Sequence, residues 1–487
     1  MKLSPYPEYK NSGVEWLDKM PVDWEARKLR NLLTPFAERN RQDLPLLSVV
    51  REKGVIYRSE LGDTDHNFIP DDLSNYKYVK AGHFAMNKMK AWQGSYGISD
   101  HDGIVSPAYY VFELRYVDKD FFHRAIRSRI YVDLFARFSD GVRIGQWDLS
   151  INGMKEIPFL VPPNDLQRQI VRFLDAKTRL INRYVRNKRR LIELLQEQKQ
   201  AIINDCVTGK MEVKKIVDEN GNASFRLEPY AEYKDSGVEW LGKIPVGWGV
   251  RKIKHLAEII DGDRGKEYPG PNDLLDAGIL FLSSNNIVSD KFNFGKTRFI
   301  SHDKFNKLGR GKLTEGDIVI TVRGTIGSVA LFSNLGIKTA FINAQMMILR
   351  PKKGVLSEYI YLVATSNYWK TELLLRAYGA AQQQLSNEIL SGVIVPTPPL
   401  EIQKKIVNSV NSQCAYIDNT IQKAQRQIEL IREYRIRLIA DVVTGKVDVR
   451  DIPVEDIPQD DAFDEPEDEP ENIDESLDID DTQEDDS

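Results

Sequence analysis

Ile170, Leu174, Lys177, Ile181, Tyr184, Lys188, Leu191, Leu195, Gln198 and Ile202 follow one another at alternating spacings of four and three, the pattern of a heptad seam along one helix face. Adding 236 to each number gives Ile406, Val410, Gln413, Ile417, Thr420, Ala424, Gln427, Ile431, Tyr434 and Leu438, so the seam recurs with polar members in corresponding layers. Each predicted helix starts after a Pro-Pro pair, Pro162-Pro163 or Pro398-Pro399, and closes at Thr-Gly-Lys, where Gly209 and Gly445 can act as C-caps. At roughly 40 residues each would be ~60 Å long. One such seam alone reads better as an amphipathic helix on a globular core. Two copies at a constant offset favour helices that pack on each other, because a long packed helix tolerates no insertion.

Elsewhere the pattern changes to short runs bounded by turn residues. Gly103-Ile-Val-Ser-Pro-Ala-Tyr-Tyr-Val-Phe-Glu-Leu114 and Gly316-Asp-Ile-Val-Ile-Thr-Val-Arg323 read as strands. These runs fill the chain from Leu29 to the first Pro-Pro pair and from Ile253 to the second, predicting one mixed α/β domain in each interval. A second repeat opens each half: Tyr9-Lys-Asn-Ser-Gly-Val-Glu-Trp-Leu17 with Pro21, Trp24 and Arg27-Lys28, and Tyr233-Lys-Asp-Ser-Gly-Val-Glu-Trp-Leu241 with Pro245, Trp248 and Arg251-Lys252. Its offset is 224, so the second variable interval is 12 residues longer than the first. Trp16, Trp24, Trp240 and Trp248 are read as packing residues for these entry segments, and Arg27-Lys28 and Arg251-Lys252 as phosphate contacts or plain surface.

Composition bounds the function. With 487 residues, 41% apolar and 9% aromatic, the chain suits two or more packed domains. No apolar run approaches the ~20 residues that span a bilayer, and the opening segment lacks the apolar stretch of a secretory signal. Cys206 and Cys414 cannot make a disulfide framework or a cysteine-only zinc site, so a reducing cytoplasm is the expected location. The formal charge of −5 conceals an asymmetry: 19 of the 72 acids, and no Lys or Arg, lie in residues 451–487. The body then carries 67 cations against 53 acids, about +14, the electrostatic footprint of a protein that binds a polyanion. The acidic tail is too poor in apolar residues to fold, and serves either as a solubilising extension or as a competitor for the basic surface.

Taken together, Pro-Pro-x-x-x-Gln-x-x-Ile-Val opening each helix, Thr-Gly-Lys closing it, and Ser-Gly-Val-Glu-Trp-Leu with Pro-x-x-Trp ahead of each variable interval resemble the specificity subunits of type I restriction-modification systems. Asn87 to Gly97 and Gly103 to Tyr109 look like one target-recognition-domain type, and Thr321 to Gly327 like another. The resemblance covers residues 1 to about 450 and leaves out the tail. It implies an α/β (mixed α+β) chain with an internal pseudo-two-fold repeat. Target recognition domains at 1–163 and 230–399 would be separated by two long antiparallel coiled-coil helices at 164–210 and 400–446, with a linker at 211–229 and a disordered acidic tail at 451–487.

The resemblance further implies a non-catalytic subunit that dictates the bipartite target site for both methylation and restriction, each domain reading one half while the helices fix the gap. A ~60 Å rod covers at most ~17 base pairs at 3.4 Å each. The implied partners are double-stranded DNA, two modification (adenine methyltransferase) subunits and, through them, restriction (motor nuclease) subunits, with S-adenosylmethionine, ATP and Mg on those partners, no cofactor in this chain and no membrane.

Arg, Lys, Asn and Gln can read base edges while other cations fix register on phosphates. The candidate DNA-binding residues are Lys88, Lys90, Gln93, Ser95 and Tyr96 on one loop of the first domain and Arg143 and Gln146 on another. In the second domain they are Ser284, Asn285 and Asn286, then Arg323 and Thr325 between glycines, then Gln382, Gln383 and Gln384. Trp92 and Trp147 fit packing better than base contact.

Catalytic motifs are missing. Asp290 stands where a phosphate-cradling loop ending in Gly295-Lys296-Thr297 needs its first glycine. No glycine-rich cofactor loop precedes an Asn-Pro-Pro-aromatic motif, and the six histidines show no metal-ligand spacing. Glu8-Tyr-Lys10 and Glu232-Tyr-Lys234 match only half of a nuclease signature. Two rival readings stay open: a helical scaffold that recruits partners without reading DNA, and a nuclease with an unrecognised site.

Overall fold

The structure, a computed structural model, describes residues 3–51, 53–64, 69–70, 72–143, 146–217, 223–323, 326–377 and 385–454. It divides into two units, residues 1–189 with 425–487 and residues 190–424.

Unit 1 is built around a four-stranded antiparallel sheet of β1 (Leu33–Pro35), β2 (Phe84–Met86), β3 (Tyr96–Ile98) and β4 (Tyr110–Leu114), in the order β1-β4-β2-β3. Its pleat alternates as strand geometry requires. Phe84 and Phe112 turn toward the helices Lys119–Ile126 and Arg129–Arg137, and Ala85 and Val111 toward a second cluster with Leu47, Val49, Val55 and Val79. Phe121, Phe122, Ala125 and Ile126 form a buried stripe at helical spacing, and Asp118 caps that helix by accepting from the amides of Asp120 and Phe121.

Unit 2 repeats the plan with β5 (Ala257–Asp261), β6 (Asp317–Thr321), β7 (Val329–Phe332) and β8 (Met346–Pro351), in the order β5-β8-β6-β7 and again antiparallel. Ile318, Ile320 and Leu349 pack against the helices Ser357–Thr365 and Asn367–Ala377, while Val319, Ala330 and Ile348 pack with Leu282, Leu313 and Ile342. The two chain halves share no long identity here, but their strand orders coincide.

The long helices are α1 (Asn164–Val207) and α2 (Leu400–Val443), 44 residues each, with both ends offset by 236. They pack together in antiparallel sense. In unit 1 the Tyr184 hydroxyl is 3.3 Å from Gln427 Oε1, and Arg435 donates to Asn182 Oδ1 at 3.2 Å. In unit 2 Lys199 Nζ meets both oxygens of Asp418 at 2.6 and 2.8 Å. The repeated glutamine opens each helix by the same bonds. Gln167, fully buried, donates to the Pro162 carbonyl and accepts from the Asp118 amide; Gln403 donates to the Pro398 carbonyl and accepts from the Leu356 amide.

The seam differs from the expected one at three members of each helix. Val185, Ile192 and Lys199 turn inward rather than Tyr184, Leu191 and Gln198, and Ile421, Ile428 and Arg435 rather than Thr420, Gln427 and Tyr434. The 4-3 and 3-4 phases of one heptad share half their positions, and burial selects the phase that brings in Val185, Ile192, Ile421 and Ile428, with Lys199 and Arg435 held by Asp418 and Asn182.

The entry repeats clasp the helix ends. In unit 1 the Tyr9 hydroxyl donates to the Gly445 carbonyl at 3.1 Å, and Tyr6 sits edge-on to Trp24. In unit 2 Tyr233 donates to the Lys210 carbonyl at 2.7 Å, and Tyr230 sits edge-on to Trp248. Trp24 and Trp248 are buried, and Trp16 packs edge-on to Tyr131 at 5.8 Å. Trp240 instead stays half-exposed, with its indole N–H donated to buried Glu372. The Glu-Tyr-Lys triplets thus belong to the clasps. Residues 211–229, expected as a linker, include an antiparallel hairpin, Glu212–Val217 with Ala223–Glu228.

Candidate nucleic-acid interface

In unit 1 the two candidate loops lie side by side at one end of the sheet. Residues 87–95 join β2 to β3, and the hairpin Ser139–Arg143 with Gln146–Leu149 follows the second short helix. Lys88 Nζ pairs with Asp148 at 2.8 Å, the Leu149 amide donates to the Lys88 carbonyl at 3.1 Å, and Trp92 packs on Trp147 with ring centroids 5.0 Å apart. The tryptophan pair therefore joins the loops, as the packing reading anticipates. Lys90 is exposed, Gln93 is half-buried, and Lys88 keeps some exposure beside its carboxylate, whose hydrogen bond raises its pKa. Arg143 and Gln146 close the hairpin as backbone partners; its tip, 144–145, lies outside the described residues.

Two candidates on the first loop are corrected. Tyr96 is fully buried, stacks on Phe135 at 4.6 Å and donates its hydroxyl to the Ile126 carbonyl, and burial holds that hydroxyl well above the usual tyrosine range. Ser95 is 3% exposed. Tyr96, the first residue of β3, packs into the core, and Ser95 is buried in the loop just ahead of it, its amide donating to the Lys90 carbonyl at 3.2 Å.

The loop has a further neighbour that the motif reading passes over. Asn87 donates to the Tyr109 hydroxyl at 3.2 Å, and Lys77 Nζ donates to the Tyr109 carbonyl at 2.5 Å while lying 5.7 Å from the Tyr110 ring centroid. The interleaved Tyr76-Lys-Tyr78 and Tyr109-Tyr110 carry a readable signal of cations among aromatics.

In unit 2 the turn 322–328 joins β6 to β7, the same place in the sheet as 87–95. Arg323 on it is exposed; Thr325 lies outside the described residues. Gln382, Gln383 and Gln384 also lie outside them, but the next residue, Leu385, donates its amide to the Val322 carbonyl at 3.1 Å and so returns the chain to this turn. The third candidate segment arrives through Asn343-Ala344-Gln345, just ahead of β8. Gln345 accepts from the Val322 amide on its carbonyl at 2.8 Å and from Ser284 Oγ on Oε1 at 3.4 Å, and Asn343 pairs with the Leu282 carbonyl at 2.8 Å. Arg264 donates to the Ala344 carbonyl at 2.9 Å. Two polar residues, Asn343 and Gln345, interrupting an apolar strand run mark this segment in the sequence.

Asn285 is exposed and Ser284 half-exposed, but Asn286 is corrected. It is 2% exposed, its amide nitrogen donating to the Asn293 and Lys296 carbonyls and its oxygen accepting from the Ser283 amide. Those bonds close a turn, leaving no edge for a base. Among the described residues no group of His, Cys, Asp and Glu could hold a metal ion, and no helix is long and apolar enough to cross a membrane.

Each unit thus gathers donor-rich segments at one end of an identically ordered sheet, with backbone hydrogen bonds holding them together. Comparison with known proteins gives this arrangement a family. Residues 245–430 match the family described as type I restriction modification DNA specificity domain. The chain is 24% identical over 302 residues to the type I restriction enzyme MjaVIII specificity subunit of Methanocaldococcus jannaschii, covering 61% of this chain and 64% of the relative. It is 24% identical over 209 residues to the EcoKI specificity subunit of Escherichia coli K12, covering 42% and 44%. The aligned part is therefore under two thirds of these relatives' length. A chain in a solved structure concerned with complex assembly and conformational transition of the type I R-M system is similar in fold, with a TM-score of 0.65, 15% identity and coverage of 88% of this chain and 100% of that one. With its doubled framework and the matched domain, the chain is similar to the specificity subunits of type I restriction enzymes over these aligned parts.

Proposed function

We propose that this chain is the sequence-specific DNA-binding subunit of a type I restriction-modification complex, non-catalytic itself, which sets a bipartite target for methylation and restriction. The observation that carries the reading is the recurrence of one loop cluster: 87–95 with 139–149 in unit 1, and 322–328 with 284–286 and 343–345 in unit 2, each at the same end of the same sheet. Lys88, Lys90, Gln93, Arg143, Gln146, Ser284, Asn285, Arg323 and Thr325 are the candidates for base and phosphate contact on those segments, with Gln382 to Gln384 as candidates beyond them.

The chemistry belongs to partners in this reading: two adenine methyltransferase subunits with S-adenosylmethionine, and motor nuclease subunits with ATP and Mg, in the cytoplasm. The long helices supply a surface for them, since Leu180, Tyr184, Leu191, Leu194, Tyr416, Leu430 and Tyr434 remain exposed on α1 and α2. The test is co-expression with the cognate adenine methyltransferase in a host without other methylation, followed by genome-wide mapping of modified adenines. A split motif with a fixed unspecified gap is expected; an assembled complex that modifies no motif would leave the helices as a scaffold only.

A further inference from the structure

We propose that Arg39, Lys77 and Lys88 form a clamp for one DNA backbone phosphate at the edge of the unit 1 reading loops, a site that fixes register without reading sequence. The inference rests on the DNA-binding reading above. Arg39 and Lys77 face each other across an antiparallel bridge. Tyr110 pairs with Met86, so Lys88, two residues further on, joins the same edge, and Asn87 ties that loop to the Tyr109 hydroxyl. Lys77 is half-buried, spends one N–H on the Tyr109 carbonyl and rests against the Tyr110 ring.

Arg41 is compensated by Asp43 and Glu38 and Arg115 by Glu113, while within the clamp Lys88 alone has a carboxylate, Asp148. Arg39 and Lys77 take no ion pair among the described residues. Burial, then the like charges of Arg39 and Lys88, hold the Lys77 ammonium below the usual lysine range. Three cations sharing the single carboxylate of Asp148 are unfavourable for the free protein. A phosphodiester, with one charge and two outward oxygens, relieves that repulsion and accepts the remaining Lys77 donors.

The test uses the full chain assembled with its methyltransferase subunits, titrated with a duplex containing the mapped motif and with a scrambled duplex over a range of salt. Lys77→Gln and the fully surface variant Arg39→Gln should each weaken binding several-fold on both duplexes, lower the slope of log K against log salt by ~0.9 per lost contact, and leave the methylated motif unchanged. Lys77→Arg should restore affinity and slope. A slope unchanged in both Gln variants, or a loss confined to the cognate duplex, overturns the clamp while leaving the DNA-binding reading intact. Failure of the wild-type assembly to bind either duplex would remove both.

Discussion

At Gly209 the backbone takes a φ of +75°, and a methyl group there would run into the Pro245 ring and stand 3.1 Å from the Trp248 indole. Gly237 has a similar φ of +73° with nothing within 4 Å of the same position. The pair separates two costs. Gly237→Ala should lose only the backbone preference, about 1 kcal/mol, while Gly209→Ala should also loosen the clasp and lose clearly more in urea unfolding. Equal losses would mean that the proline approach contributes nothing. His123 offers a pH readout. Its buried ring accepts from the Ile98 amide at 3.1 Å, and burial, then Arg127 and Arg124, push its pKa down to about 3. The unfolded ring titrates near 6.5, so the unfolded state takes up the proton first. Stability is complete above about pH 6.5 and is lost as pH falls from there toward 3. Replacing the ring with His123→Gln should flatten the pH dependence of the unfolding midpoint between pH 7.5 and 5; an unchanged slope would assign that dependence to other groups.

A helix's ends and its facing residues are recorded differently in sequence. Pro-Pro, the buried glutamine and the left-handed glycine are chemical requirements at fixed positions, and they locate α1 and α2 to within a few residues. The seam is a periodicity, and two phases fit it until packing decides between neighbours. Ile428 is 7% exposed in the settled phase, whereas the expected seam member Gln427 is exposed. Ile428→Ala should therefore cost ~2–4 kcal/mol and Gln427→Ala no more than ~0.5 kcal/mol, compared by denaturant midpoints at constant m-value. Similar costs at the two positions would return the seam to the other phase.

The same distinction governs the two reading sites within the whole chain. Loop positions were legible from Gly-bounded, donor-rich segments, and the sheet brings Lys88, Lys90 and Gln93 beside the hairpin of Arg143 and Gln146, and Ser284 and Asn285 beside the turn of Arg323. Facing was not legible: Ser95, Tyr96 and Asn286 have the right chemistry, but core packing around the start of β3 or a closing turn buries them. Asn343 and Gln345 were passed over because their importance lies in pairing with segments distant in sequence. If each unit reads its own half-site, substitutions should have separable effects on the methylated motif. Lys90→Ala with Gln93→Ala should relax bases in one half alone, and Gln345→Ala, by releasing Ser284 and Asn343 from its side-chain oxygen while keeping the backbone bond to Val322, should relax bases in the other half alone. Each lost base contact is worth ~1–3 kcal/mol of discrimination, which sequencing of modified sites can resolve as a degenerate position. If either set altered both halves together, the two sheet-end clusters would not be independent readers, and sequence recognition would have to be a property of the assembled complex rather than of each unit.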